Sequence, residues 1–318
     1  MQIGASRLSS VSKLGRVELR HPPTRRVTGT ADRALRWTIA LLIAPLCIQA
    51  EPARAEDAQP KTLAAFAQYV ERSEAQIGKQ AVGGEAFLWV ERLPAYRRAT
   101  VESQLRAGQT VIEPLVTPGR GAQDDRNQVI RVPGGLIHHW IGTVFIRGAN
   151  LRQTLALEQD YDHHQEYFRP NVMRSKILHR EGNDYSIELW LYEKKVITTV
   201  LDTQHQVHYQ IVDATHAWSL SRSTRIQEVD DAGKPDEKLE PIGHDHGFLW
   251  RMNTYWRFEE KDGGTYVECQ SISLTRDIPR GLGWLVGSYL ESVPRESLTF
   301  TLTTTGKAVL KRIAAGAP

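Results

Sequence analysis

The stretch Phe248–Phe258 (FLWRMNTYWRF) alternates so strictly that one backbone conformation suits it. Phe248, Trp250, Met252, Thr254, Trp256 and Phe258 fall on one side, and Leu249, Arg251, Asn253, Tyr255 and Arg257 fall on the other. That period of two belongs to a β-strand, and it predicts one dry face and one wet face. Burying the two indoles, the methionine and the two phenyl rings would contribute on the order of 10 kcal/mol before conformational entropy is subtracted. Asp262-Gly263-Gly264 then supplies hairpin-turn chemistry, and a second strand is expected over 265–277. Upstream, strand-like stretches at 172–180, 185–193, 196–211 and 216–229 are punctuated by Glu181-Gly182-Asn183-Asp184 and Asp213-Ala214-Thr215. Long strands joined by tight turns make an antiparallel meander.

Helical signals bracket the strands. Leu136–Arg147 is a further β-branched and aromatic strand, and Asn150 after it is placed to cap a helix with Leu151, Leu155 and Tyr161 on one face. That helix is expected to run through Asp160-Tyr161-Asp162-His163-His164 and to stop near Pro170. At the C-terminus, Leu298, Leu302, Thr305, Val309 and Ile313 share a helical face, with Pro294 suiting a first turn. Leu298, Phe300 and Leu302 also alternate as a strand would, but 294–313 is too long for an ordinary strand. Nearer the N-terminus, Leu63, Phe66, Ala67, Val70 and Ile77 predict a helix that Gly83-Gly84 ends. A short strand over Phe87–Leu93, a polar helix over Tyr96–Arg106 and a long Pro/Gly-rich loop over 113–135 are expected to follow.

The first 55 residues read as a leader. Trp37–Ala50 is an uncharged apolar run of fourteen residues behind Arg33 and Arg36. Spanning a bilayer takes about 18 or more. Ala53-Arg54-Ala55 places small residues where a signal peptidase reads, so cleavage after Ala55 and a periplasmic or otherwise secreted location are expected. The leader changes the electrostatics. Nine of the 40 basic residues and three of the 37 acidic ones lie in it, leaving 31 basic against 34 acidic over 263 residues. The whole-chain charge of +3 thus gives no support to nucleic-acid binding, which needs a basic stripe that the remaining chain lacks. Cys269 becomes the sole cysteine, so no internal disulfide is available.

Strand, short helix, antiparallel strands and a long last helix form the order of a helix-grip fold. The stretches VPGGLIHHWIGTVFI (132–146), LALEQDYDHHQEYFRP (155–170), GFLWRMNTYWRFEEKDGGTYVECQSISLTRDIP (247–279) and GLGWLVGSYLESVPRESL (281–298) carry a resemblance to a known group. The chain resembles the START-like (SRPBCC) superfamily, with its polyketide-cyclase, coenzyme Q-binding and lipid-transport branches. The resemblance implies an α+β fold in which a curved antiparallel sheet wraps a long C-terminal helix and leaves a cavity between them. It implies residues 132–318 as the ligand-binding domain, after the leader 1–55 and an N-terminal helical elaboration with a loop over 56–131.

Within such a cavity, Trp250, Met252, Thr254, Trp256 and Phe258 of the alternating strand would face Leu298 and Leu302 of the last helix. Thr254, Thr301 and Thr305 would supply polar groups to orient an apolar ligand. The expected function is an exported carrier or sensor for a lipid, an isoprenoid quinone or a polyketide-like aromatic. The alternative is a cyclase- or hydrolase-type enzyme using His138 or His139 with an Asp160/His164 pair, four residues apart on a helix. The chain lacks a G-x-S-x-G elbow, an H-E-x-x-H zinc motif, a P-loop and a dinucleotide fingerprint. No catalytic residue, cofactor or metal is therefore assigned. His244-Asp245-His246 reads as an exposed loop before a strand, and Cys269 as an inert buried thiol. Leu282–Gly287 around Trp284 is apolar and glycine-punctuated, which suits a gate or a transient membrane contact.

Overall fold

The computed structural model describes residues 58–82, 86–115, 122–123, 129–130, 132–194, 198–241, 244–277 and 283–316. Side chains are described over these ranges except at 79–82, 122–123, 129–130 and 283–291. The leader with its expected cleavage site, Gly83-Gly84 and the Trp284 side chain lie outside the described residues.

In chain order the elements are α1 (Pro60–Val82), a 3-10 turn (Trp89–Arg92), α2 (Ala95–Arg106), β1 (Val111–Pro114), β2 (Ala122–Gln123), β3 (Val129–Ile130) and β4 (Gly135–Arg147). There follow α3 (Leu151–Glu158), a 3-10 turn (Tyr161–His163), α4 (His164–Tyr167), β5 (Val172–Glu181), β6 (Asp184–Lys194) and β7 (Thr198–Ile211). The chain continues through β8 (His216–Asp230), β9 (Lys238–Leu239), β10 (Arg251–Lys261), β11 (Gly264–Arg276) and α5 (Gly283–Ala314). Eight strands form one curved antiparallel sheet in the order β1-β4-β11-β10-β8-β7-β6-β5, with β9 added beside β8. The chain has a helix-grip α+β fold, with α5 lying on the concave face of that sheet.

Turn chemistry sets the register. Asp262 and Gly263 both take positive φ (57° and 75°), the two-residue turn whose twist matches the strands it joins. From there β10 and β11 pair without interruption from Lys261↔Gly264 to Arg251↔Leu274. Asp213 closes the β7–β8 turn by accepting the amides of Thr215 (2.7 Å) and His216 (2.9 Å) on Oδ1. Asn150 caps α3 reciprocally with Gln153: Oδ1 accepts the Gln153 amide (2.8 Å), and Gln153 Oε1 accepts that of Asn150 (3.1 Å).

Both faces of the sheet are covered. On the concave side, Trp140, Val144 and Ile146 of β4 and Phe258 of β10 pack with Leu298, Leu302 and Val309 of α5. On the convex side, Phe66, Tyr69 and Val70 of α1 pack on Ile137, Tyr255, Ile272 and Leu274. Beside them, Leu88, Val90, Val101 and Leu105 cover Phe145 and Tyr266. The face of β10 expected to be wet is therefore buried. Asn253, Tyr255 and Arg257 are 6%, 4% and 2% exposed. Polar groups survive there because each finds a partner. Arg257 Nη1 donates to Glu268 Oε1 (2.8 Å), and the Tyr255 hydroxyl donates to Glu74 Oε1 (2.8 Å).

Three local expectations are corrected. Phe87–Leu93 is not a strand but holds a 3-10 turn, because carboxylates take its amides: Leu88 N donates to Glu91 Oε2 (2.9 Å) and Trp89 N to Glu268 Oε2 (2.6 Å). The helix expected from Asn150 through His164 breaks at Asp160, whose ψ of 51° is not helical. Its carboxylate there gathers His163, Tyr167 and Arg312. The last helix starts at Gly283, so Pro294 sits inside it rather than in its first turn. A missing proline N–H costs one backbone hydrogen bond, which the long flanking helix tolerates. Among the described residues, no helix is long and apolar enough to cross a membrane.

Candidate functional site

A cavity of about 310 Å³ lies between the concave face and α5. Its apolar wall includes Leu189, Leu201, Met252, Trp256, Leu298 and Phe300. The opposite character comes from β8 and β11. Ser219 and Ser221 of β8, and Cys269, Ser271, Ser273 and Thr275 of β11, present small, mostly hydroxylic side chains to the same space. Because strand side chains alternate, the other positions of β11 (Gln270, Ile272, Leu274) point to the convex core. The cavity exists because the middle of the sheet carries short side chains where a filled core would carry Leu or Phe.

At one end stands Glu158, the last residue of α3 and 6% exposed. Its Oε1 accepts the Thr305 hydroxyl proton (3.0 Å), and burial pushes its pKa up to about 7. Beside it, the Tyr209 hydroxyl donates to the Glu158 carbonyl (3.2 Å), so the Tyr161 hydroxyl must donate to Tyr209 (2.7 Å). Burial raises both phenols well above their ordinary value. On β7, the Thr203 hydroxyl gives its proton to Leu189 O (2.9 Å) and therefore accepts from His205 Nε2 (3.0 Å). That fixes the neutral tautomer of His205 and turns its Nδ1 toward Ser221 Oγ at 3.4 Å. Burial holds the His205 pKa down at about 4.

The structure brings together some of the residues expected to bind ligand. Met252, Thr254, Trp256 and Leu298 line the cavity. Phe258 and Leu302, both 0% exposed, lie in the packed core beside it. Trp250 is a correction: it packs with Phe66, Tyr69 and Tyr255 on the convex side. The alternation breaks there because Trp250 precedes β10, and Gly247 (φ 76°) turns the chain just before it. Trp250 Nε1 then reaches Asp245 Oδ1 (3.4 Å) instead of the cavity. Thr301 lines the cavity with its proton committed to Ser297 O (2.9 Å), and Thr305 serves Glu158. Glu158, His205, the Tyr161–Tyr209 pair and the small residues of β8 and β11 were missed. In the sequence, the run Cys269-x-Ser271-x-Ser273-x-Thr275 marks the small residues of β11, and no comparable pattern marks Glu158, His205 or the Tyr161–Tyr209 pair.

The acid-base constellation of the enzyme alternative is not assembled. Asp160 pairs with His163 (2.7 Å), while His164 turns inward and donates from Nε2 to Leu157 O (3.3 Å). Burial lowers the His164 pKa to about 4. His138 and His139 point to opposite faces. His138 Nε2 meets Thr275 Oγ1 (2.9 Å) on the concave side. His139 is held on the convex side between the Tyr69 hydroxyl (2.5 Å) and Gln270 Nε2 (2.6 Å). Cys269 is 1% exposed and burial raises its thiol pKa, so it offers no thiolate. The His244-Asp245-His246 loop is better anchored than a solvated loop. Glu228 accepts the His246 amide (2.9 Å) and faces its Nδ1 (2.6 Å), and Asp245 is buried. Among the described residues, no group of three or more His, Cys, Asp or Glu side chains is arranged to hold a metal.

No protein-family model matches the chain, and no curated protein matches it significantly. Solved structures do. A STAR-related lipid transfer protein from Xanthomonas axonopodis is 15% identical, covers 61% of this chain and 97% of its own, and superposes with a TM-score of 0.38. The ZhuI aromatase/cyclase from Streptomyces sp. R1128 is 14% identical, with coverages of 57% and 99% and a TM-score of 0.40. Human STARD10 is 10% identical, with coverages of 69% and 80% and a TM-score of 0.37. The chain is similar to these START-domain proteins and this polyketide aromatase/cyclase over part of its length, and its helix-grip assignment rests on its own strand order and last helix.

Proposed function

We propose that this chain is a carrier or sensor that holds one hydrophobic small molecule in the cavity beneath α5. One observation carries the proposal: an apolar space bounded by Leu189, Leu201, Met252, Trp256, Leu298 and Phe300 is interrupted by a few fixed polar groups. That composition is how proteins bind apolar ligands in a defined orientation. A lipid, an isoprenoid quinone and a polyketide-like aromatic all fall within the class. We further propose export to the periplasm, supported by the basic flank, apolar run and Ala53-Arg54-Ala55 of the leader. Transient membrane contact through the Trp284 stretch belongs to the same proposal.

The test is native mass spectrometry of the protein purified from an expressing cell, followed by organic extraction. An apolar molecule bound one to one supports the proposal. A chain that carries none, and takes up none when offered a panel of lipids, quinones and aromatic polyketides, defeats it. N-terminal sequencing of the exported form should begin at Glu56. An uncleaved chain retained in the cytoplasm would defeat the export proposal alone.

A further inference from the structure

We propose that the cavity selects an uncharged ligand whose hydroxyl or carbonyl oxygen meets Glu158, and that it rejects molecules bearing phosphate or carboxylate; this rests on the binding function proposed above. The first support is the absence of a counter-charge. Among the described residues, no lysine or arginine lines the cavity. Two guanidiniums of the surrounding elements are ion-paired through their Nη atoms, with only Nε of each buried without a partner: Arg312 Nη1 with Asp160 Oδ2 (2.6 Å) and the Tyr167 hydroxyl (3.0 Å), and Arg225 Nη2 with Asp202 Oδ2 (2.6 Å). The two imidazoles of the wall, His164 and His205, are buried and neutral. An anion entering this space would give up its hydration for walls that return neutral hydroxyl donors and no positive charge, with the carboxyl groups of Glu158 and Glu193 among the lining.

The second support is what Glu158 offers. Oε1 is taken by Thr305, whereas Oε2 has no hydrogen-bond partner among the described residues. A carboxyl group in its neutral form donates one hydrogen bond and accepts others, so it matches a hydroxyl or a carbonyl equally. The neighbouring phenols have spent their protons on each other and on the backbone, so donation to a ligand falls to Glu158 and the hydroxyls of β8 and β11. A cationic amine at this end would require Glu158 to ionise, the other carboxyl group of the wall being Glu193 on β6. The desolvation cost of such a buried pair offsets much of its attraction. The space also favours compactness: about 310 Å³ lies near the lower end of small-molecule sites, which run from about 300 to 1,000 Å³.

The experiment uses one fluorescent ring system with four head groups: 9-methylanthracene, 9-anthracenemethanol, 9-anthracenemethylamine and 9-anthracenecarboxylate. Dissociation constants are measured by fluorescence titration on the wild-type chain, on Glu158→Gln and on Glu158→Leu. The expected order has the alcohol tightest, with the carboxylate weaker by about tenfold or more. Glu158→Gln, which keeps a neutral hydrogen-bonding group, should hold the alcohol within about threefold of wild type, and Glu158→Leu should weaken it by about tenfold. Carboxylate binding equal to the alcohol overturns the proposal. So does an amine that binds best and loses its advantage in Glu158→Gln, since that pattern is charge pairing. If 9-methylanthracene binds and the head groups make no difference, the inference falls while the binding function stands. If none of the four binds, the inference falls, and the binding function is decided by the panel of lipids, quinones and aromatic polyketides.

Discussion

The buried ion pair on the convex face makes a quantitative claim about how the N-terminal segment is held. Arg257 and Glu268 are 2% and 0% exposed, and their contact is 2.8 Å. Glu268 also accepts the Trp89 amide (2.6 Å), while Arg257 Nη2 donates to Ile77 O (3.3 Å). The pair therefore ties two adjoining strands to both α1 and the 3-10 turn. Burial outweighs the nearby cations Arg257 and Arg92 and pushes the Glu268 pKa up, so the site is costly to hold charged. Replacing Glu268 with Leu leaves a guanidinium buried without its carboxylate, which costs about 3–5 kcal/mol. The Trp89 amide loses its acceptor in the same step, and that loss is coupled to the first rather than simply added. Adding Arg257→Met should recover most of the loss, because a well-packed apolar pair often equals a buried ion pair. Urea unfolding followed by tryptophan fluorescence on the four members of the cycle reads the coupling directly. A Glu268→Leu cost below about 1 kcal/mol, or a double variant as unstable as the two single losses added, would refute the reasoning. Anthracene binding should be unchanged throughout, since the cavity lies on the other face.

Further expectations concern packing and protons. Gly142 lets α5 approach β4: a Cβ there would meet Leu302 Cδ1 at 2.6 Å and come closer still to Ile112, so Gly142→Ala should destabilise by about 1–3 kcal/mol in urea. His138, His139, His164 and His205 are buried with pKa values lowered to about 4, 3, 4 and 4. Each stays neutral in the native state while the unfolded state protonates near 6.5, so stability should be full above that pH and fall as pH drops toward 4. Replacing His205 with Gln should flatten that fall, and an unchanged acid limb would contradict the assignment. Glu158 runs the other way. Its pKa is raised to about 7, so its contribution is present below its unfolded value near 4.5 and is lost as pH rises through 7. The stability difference between wild type and Glu158→Gln should therefore shift against wild type by up to about 3 kcal/mol over that interval.

The strands were legible because local chemistry and tertiary structure agree in them. The Asp262-Gly263 turn, the Asp213 turn and the Asn150 cap each state their geometry within a few residues. The two faces of β10 were not legible in the same way. Arg257, Tyr255 and Asn253 carry the polarity of a wet surface, but the partners that bury them are far along the chain at Glu268 and Glu74. Alternation shows that two faces differ and leaves open which side meets water. The same limit misplaced Trp250, whose parity with Met252 fails because the chain turns at Gly247 before β10 begins. On the cavity side, aromatic and aliphatic residues drew attention to the walls. The space itself comes from small residues, whose short side chains in β8 and β11 leave little trace in a hydrophobicity pattern.

The central claim is that an apolar guest occupies the space under α5, and a binding isotherm for 9-methylanthracene tests it most directly. Wild type should saturate at one molecule per chain. Ser271→Phe, which fills the cavity from β11, should weaken binding by about tenfold or more while the chain stays folded, and the milder Ser273→Leu should do so in part. Binding that never saturates, or that survives both substitutions undiminished in folded protein, would contradict the claim.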